Sequence, residues 1–193
     1  MARVGAELRR QDFVKAAVRV IAEHGVANAT TRRIAAAADS PLASLHYVFR
    51  TKDDLLYAVY ESLFNLPQQV LEQVPAGTTP AGTAAEMLRQ LVNWLTTNPD
   101  LARAQSELFF WTMRNKPEMA NKIYSVSIEA TEQAIERAIG AQLDTTVLKA
   151  ASRLLILLFD GLLIAWSAHG DLERLKAETE TACQALTRLI DSH

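Results

Sequence analysis

The chain has 193 residues, 49% of them hydrophobic, and a formal net charge of −2 at pH 7. That is enough apolar material for a substantial core, in a length that suits one large or two small domains. A single cysteine, Cys183, excludes an intramolecular disulfide and a multi-cysteine zinc site and points to a reducing compartment. The four histidines, His24, His46, His169 and His193, are scattered. No nucleophile elbow, phosphate-cradling glycine loop or metal-spaced His/Asp/Glu set accompanies them, so the chain is not expected to be an enzyme or to carry a metal or cofactor.

The near-neutral total conceals a division. Residues 1–52 hold nine Lys/Arg against four Asp/Glu, a formal +5, and residues 53–193 hold eleven against eighteen, a formal −7. A basic head on an acidic body is the distribution expected of a protein that meets phosphates at one end.

In chain order, a first helix carries Ala17, Ile21, Ala22 and Gly25. Thr30 is a good N-cap for the second, in which Ile34, Ala35 and Ala38 recur at helical spacing. Asp39 interrupts the pattern and tolerates left-handed backbone, Ser40 can cap the next helix, and Pro41 suits its first position. The third helix, from about Pro41 to Val48, is expected to bury Leu45 and Phe49 and to turn Leu42, Ala43, Ser44, His46 and Tyr47 outward. Two helices joined by so short a turn form a helix-turn-helix unit. A long helix from Lys52 to about Gln73 follows, with a kink or break expected near Asn65 to Pro67, and then a loop from Pro75 to Gly82. Further helices are expected over Thr83 to Thr97, Asp100 to Asn115, Glu118 to Ile139 (closed by Gly140), Asp144 to His169 and Asp171 to Asp191. The result is an all-α chain of nine helices with a head at residues 1–52 and a helical body at 53–193. The apolar run from Leu154 to Ala168 is too short to span a bilayer and contains Asp160, and residues 1–17 lack a secretory core; a cytoplasmic protein with no membrane partner is expected.

Residues 10–60 resemble the DNA-binding domain of the TetR family of transcriptional regulators. The resemblance lies in the AxxxIAxxG order of the first helix, the TTxxIAxxA of the second, the L-x-Y-x-F from Leu45 to Phe49, and Lys52 with Asp54-Leu55-Leu56 behind it. The chain departs from the family's turn and recognition helix at Asp39, Ser40, Pro41 and His46. The resemblance implies that Leu42, Ala43, Ser44 and Tyr47 face base edges, that Arg32 reaches a guanine, and that Thr31, His46 and Lys52 hold phosphates. It also implies a homodimer on a double-stranded operator and a small-molecule effector.

In the final helix Leu172, Leu175, Thr179, Ala182, Leu186 and Leu189 alternate spacings of three and four, the seam of a helical bundle, and are the expected dimer interface. Trp94, Phe109, Phe110, Met113 and Tyr124 concentrate aromatic and thioether groups in the middle helices, where an apolar or amphipathic effector is expected. The leading reading is a ligand-responsive regulator, a repressor of a palindromic operator. Its competitor is a dimeric small-molecule binding or interaction protein with a degenerate DNA-binding head.

Overall fold

The computed structural model describes residues 2–74, 79–139 and 143–192. Among these it contains no strand and nine helices: α1 (Ala2–Asn28), α2 (Thr31–Ala37), α3 (Leu42–Val48), α4 (Lys52–Gln73), α5 (Pro80–Thr97), α6 (Pro99–Asn115), α7 (Pro117–Ile139), α8 (Thr145–His169) and α9 (Leu172–Asp191). Helices α5, α6 and α7 begin on Pro80, Pro99 and Pro117, earlier than the Thr83, Asp100 and Glu118 expected. Proline is at home in a first helical turn, where its missing N–H would have no partner. Thr79 confirms the earlier start of α5, its Oγ1 accepting the Gly82 N–H at 3.1 Å. Helix α4 runs as one helical segment over Lys52–Gln73, and the boundary between the two compact units falls within it, between residues 65 and 66. Gly140, expected to close α7, and Pro75, expected to open the loop after α4, lie outside the described residues.

Compactness divides the chain into two units at places other than residue 52. The first comprises residues 1–65 and 99–117, and the second residues 66–98 and 118–193. In the first, α1 buries a broad face, through Phe13, Ala16, Ala17, Val20 and Ile21, because α2 and α3 pack against it and so does α6. Near its end α1 is broken at Gly25, whose φ of 73° and ψ of 161° fall in a region that essentially only glycine enters. A Cβ there would also sit 3.3 Å from Glu107 Oε2 on α6. Gly25→Ala is therefore expected to cost about 1–3 kcal/mol, seen as a melting temperature lowered by several degrees in circular dichroism. An unchanged melting point would show that the break is not needed.

In the second unit α9 packs on α5 and α8, and Arg89 of α5 grips Glu180 of α9 through two hydrogen bonds of 2.7 and 2.8 Å. This packing corrects the expected interface. Leu175, Thr179, Ala182 and Leu186 are buried within the chain itself, Leu186 completely, so that seam is intramolecular; Leu172 is exposed and Leu189 half-buried. The heptad-like spacing marks a covered face without saying which chain covers it. Cys183 lies in the same seam, its thiol 3.4 Å from the Ala85 carbonyl and pushed up in pKa by burial. Gly170, with φ of 67°, separates α8 from α9, and Asp171 caps α9 by accepting the N–H groups of Glu173 and Arg174. His169 turns to Glu178, whose Oε2 lies 3.3 Å from its Nε2.

Asp160 on α8 is a half-buried carboxyl, pushed by desolvation from its ordinary 3.8 up to about 6. The folded chain thus holds this proton more tightly than the unfolded one. The stability associated with the neutral acid is fully present below about pH 4 and is lost as pH rises through 6. At about 1.36 kcal/mol per unit the loss is of order 2–3 kcal/mol. Asp160→Asn is expected to match the parent chain near pH 4 and to melt several degrees higher at pH 7.5. Equal melting curves at both pH values would refute this assignment.

Candidate nucleic-acid interface

Helix α2 is capped by Thr30, whose Oγ1 accepts the Arg33 N–H at 3.2 Å. At its other end, Asp39 takes the left-handed conformation, φ 49°. The Asp39 N–H donates to the Ala36 carbonyl and the Ser40 N–H to the Ala35 carbonyl, each at 3.0 Å. These two bonds make a Schellman motif with aspartate where glycine is usual. Arg19 of α1 adds a donor from outside, its Nη2 reaching the Ala37 carbonyl at 3.0 Å. The departure from the family's glycine therefore leaves the turn intact. The expected cap of α3 is different in detail: Pro41 occupies the cap position, helix begins at Leu42, and the Ser40 hydroxyl donates back to the Ala38 carbonyl.

Helix α3 has only seven residues. Leu45 is fully buried and Phe49, which follows it, is 3% exposed, whereas Tyr47 is 83% exposed. Ala43 and His46 are exposed beside Tyr47, while Leu42 and Ser44 are half-buried. On α2, Arg32 is exposed and Thr31 half-buried. The Arg10 guanidinium lies 5.6 Å from the centre of the Phe49 ring, closing the inner side. Helix α4 opens with a reciprocal cap: the Thr51 N–H donates to the Asp54 carboxylate and the Asp54 N–H to the Thr51 hydroxyl, both at 3.0 Å.

Lys52 has a role that the sequence did not suggest. Its Nζ donates to the Val26 carbonyl at 3.2 Å, satisfying backbone next to the Gly25 break. An ammonium has three donors, so this anchor leaves two for an anion. Arg33 makes a comparable bond, Nη1 to the Asn28 carbonyl at 3.1 Å. Spacing cannot reveal either bond, because each depends on where α1 ends in space.

The residues expected around an effector are distributed over both units. Phe109, Phe110 and Met113 lie on α6, with Phe110 50% and Met113 45% exposed and the two phenylalanine rings edge to face at 6.1 Å. Tyr124 on α7 is half-buried, its phenol pushed up first by desolvation and then by the Asp160 charge. Trp94 lines a groove of about 560 Å³ in the second unit, together with Val70 and Gln73 of α4 and Glu86, Gln90 and Asn93 of α5. Among the described residues no helix is long and apolar enough to cross a membrane.

Residues 13–59 match the family model described as bacterial regulatory proteins, tetR family. The chain is 29% identical over 163 residues to HdnoR, an HTH-type nicotine-responsive transcriptional repressor of Paenarthrobacter nicotinovorans, covering 82% of this chain and 84% of that one. Among solved structures it resembles a TetR family member from Streptomyces coelicolor, with 28% identity, a TM-score of 0.74, and 94% and 98% of the two chains covered. It also resembles the multidrug binding protein EbrR complexed with ethidium, with 28% identity, a TM-score of 0.72 and the same coverage.

Proposed function

As a member of the tetR family of bacterial regulatory proteins, the chain is a transcription regulator, and we propose that it is a ligand-responsive repressor that binds a near-palindromic operator as a homodimer. The observation that carries this reading is the division of α3: Leu45 and Phe49 hold it in the head while Tyr47 stands 83% exposed between Ala43 and His46. A helix positioned by one face and presented by the other is what major-groove reading requires. In this reading Leu42, Ala43, Ser44 and Tyr47 meet base edges, Arg32 reaches a guanine, and Thr31, His46 and Lys52 hold phosphates.

The two kinds of contact separate by experiment. Arg32→Ala is expected to cost about 1–3 kcal/mol of operator affinity and to relax preference at one base pair. Lys52→Ala is expected to weaken operator and random duplex alike and to flatten the salt slope by about one. Titration of both duplexes at several salt concentrations checks this; an equal loss of operator and random binding in Arg32→Ala would remove its base-reading role.

For the dimer, the proposed face is the exposed apolar surface on α8 and at the start of α9. Leu157 is 58% exposed, Ile164 48% and Leu172 50%. Gly161 lies between the first two at helical spacing, with open space where a Cβ would be. Leu157→Glu leaves the monomer's core untouched and places a carboxylate in each half of a two-fold interface. Sedimentation is expected to give a helical monomer with little operator affinity, whereas an intact dimer would exclude this face. Leu186→Glu tests only the fold, because Leu186 is already covered within its own chain.

A nicotine-responsive relative and a structural neighbour that binds ethidium support a small-molecule effector of apolar or amphipathic character. Helix α4 begins at Lys52, shortly after α3 ends at Val48, and its last residues include Val70 and Gln73 of the groove. It is the element through which a ligand can alter the spacing of two recognition helices, which must sit about 34–36 Å apart on DNA.

A further inference from the structure

The groove of the second unit combines groups that the fold does not otherwise use. Glu86, Gln90, Asn93 and Trp94 share one face of α5, opposite Val70 and Gln73 of α4. Among the described residues that line it there is no lysine or arginine. The nearest guanidinium, Arg89, is 3.7 Å from Glu86 but is engaged at 2.7 and 2.8 Å by Glu180. Two carboxylates therefore surround one cation, leaving a net negative charge at the Glu86 end. The Gln90 amide donates to Glu86 Oε1 at 2.7 Å, which fixes the carboxylate while leaving acceptor positions open. Eight residues further along the same helix face stands the half-buried Trp94, about 12 Å away at the helical rise.

We propose that this groove is the effector site and that it selects an elongated aromatic cation, about 12 Å long, with its ring against Trp94 and its charged nitrogen at Glu86. The proposal rests on the ligand-responsive reading above and adds the place and the charge of the ligand. An indole face packs against an aromatic ring in offset or edge-to-face geometry, and a carboxylate with free lone pairs takes an ammonium by charge-assisted hydrogen bonds. The valine lining supplies apolar cover for the ring. An anion of the same shape meets an uncompensated carboxylate and is rejected; a neutral analogue keeps the stacking and loses the charge.

Three probes of one length separate these contributions: biphenyl-4-ylmethylammonium, biphenyl-4-methanol and biphenyl-4-carboxylate, titrated calorimetrically into the full chain. The cation is expected to bind at least tenfold more tightly than the alcohol, and the carboxylate not measurably. Glu86→Gln keeps the size of the side chain and is expected to bring the cation to the affinity of the alcohol. Trp94→Leu is expected to weaken cation and alcohol alike by tenfold or more, with unchanged helix content by circular dichroism. Absence of cation binding to the parent chain, or cation binding that survives both substitutions, overturns the proposal. An operator titration with the ammonium probe distinguishes its failure from that of the regulatory reading. Operator release that persists in Trp94→Leu removes the groove and keeps regulation. Groove-dependent binding without operator release keeps the site and removes its regulatory role.

Discussion

A helix of seven residues has almost no stability of its own in water, so α3 exists only because the rest of the head holds it. Leu45, fully buried, and Phe49, at 3% exposure, fix its inner face, and Ile34 of α2 is equally covered. Everything exposed on α3 owes its position to that anchorage. Tyr47 can point outward with a defined direction only because Leu45, two residues earlier, points in. The same logic accounts for the dense capping around the unit. Thr30, the Asp39 turn, Arg19 on the Ala37 carbonyl, and the Thr51–Asp54 pair satisfy backbone groups that such short helices cannot satisfy internally.

Charge works on a longer range than packing and divides the chain accordingly. The formal +5 of residues 1–52 and −7 of residues 53–193 place attraction for phosphates where the helix-turn-helix lies and repulsion elsewhere. In the proposed reading such a field orients the chain on DNA without specifying a sequence, and specificity then falls to the few exposed groups of α2 and α3. In the second unit the important charges are local: Asp160, held near pH 6 by burial, and Glu86, at the end of a groove lined by Trp94.

Helix positions were legible to within a few residues, because caps, prolines and apolar periodicity are local signals. The outward face of α3 was legible for the same reason, since Leu45 and Phe49 are four apart. What sequence could not resolve is what covers an apolar stripe. Leu175, Thr179, Ala182 and Leu186 have the spacing of an interface, yet α5 and α8 of the same chain lie over α9. Lys52 illustrates a second limit. Its family-like position suggested a phosphate contact, but its bond to Val26 depends on a backbone break 27 residues earlier in the chain, at Gly25. The aromatic residues of the middle helices were grouped by type, and the fold instead distributes Phe109, Phe110 and Met113 in one unit and Trp94 and Tyr124 in the other.

The central claim, that the exposed face of α3 reads a DNA sequence as one half of a two-fold pair, is tested most directly by selecting duplexes from a random pool with the full chain and sequencing what is enriched. The account predicts an inverted repeat whose half-sites are centred about one helical turn, 34–36 Å, apart. Salt-sensitive retention of duplexes without sequence preference would contradict it, and would leave a small-molecule binding protein whose head no longer reads DNA.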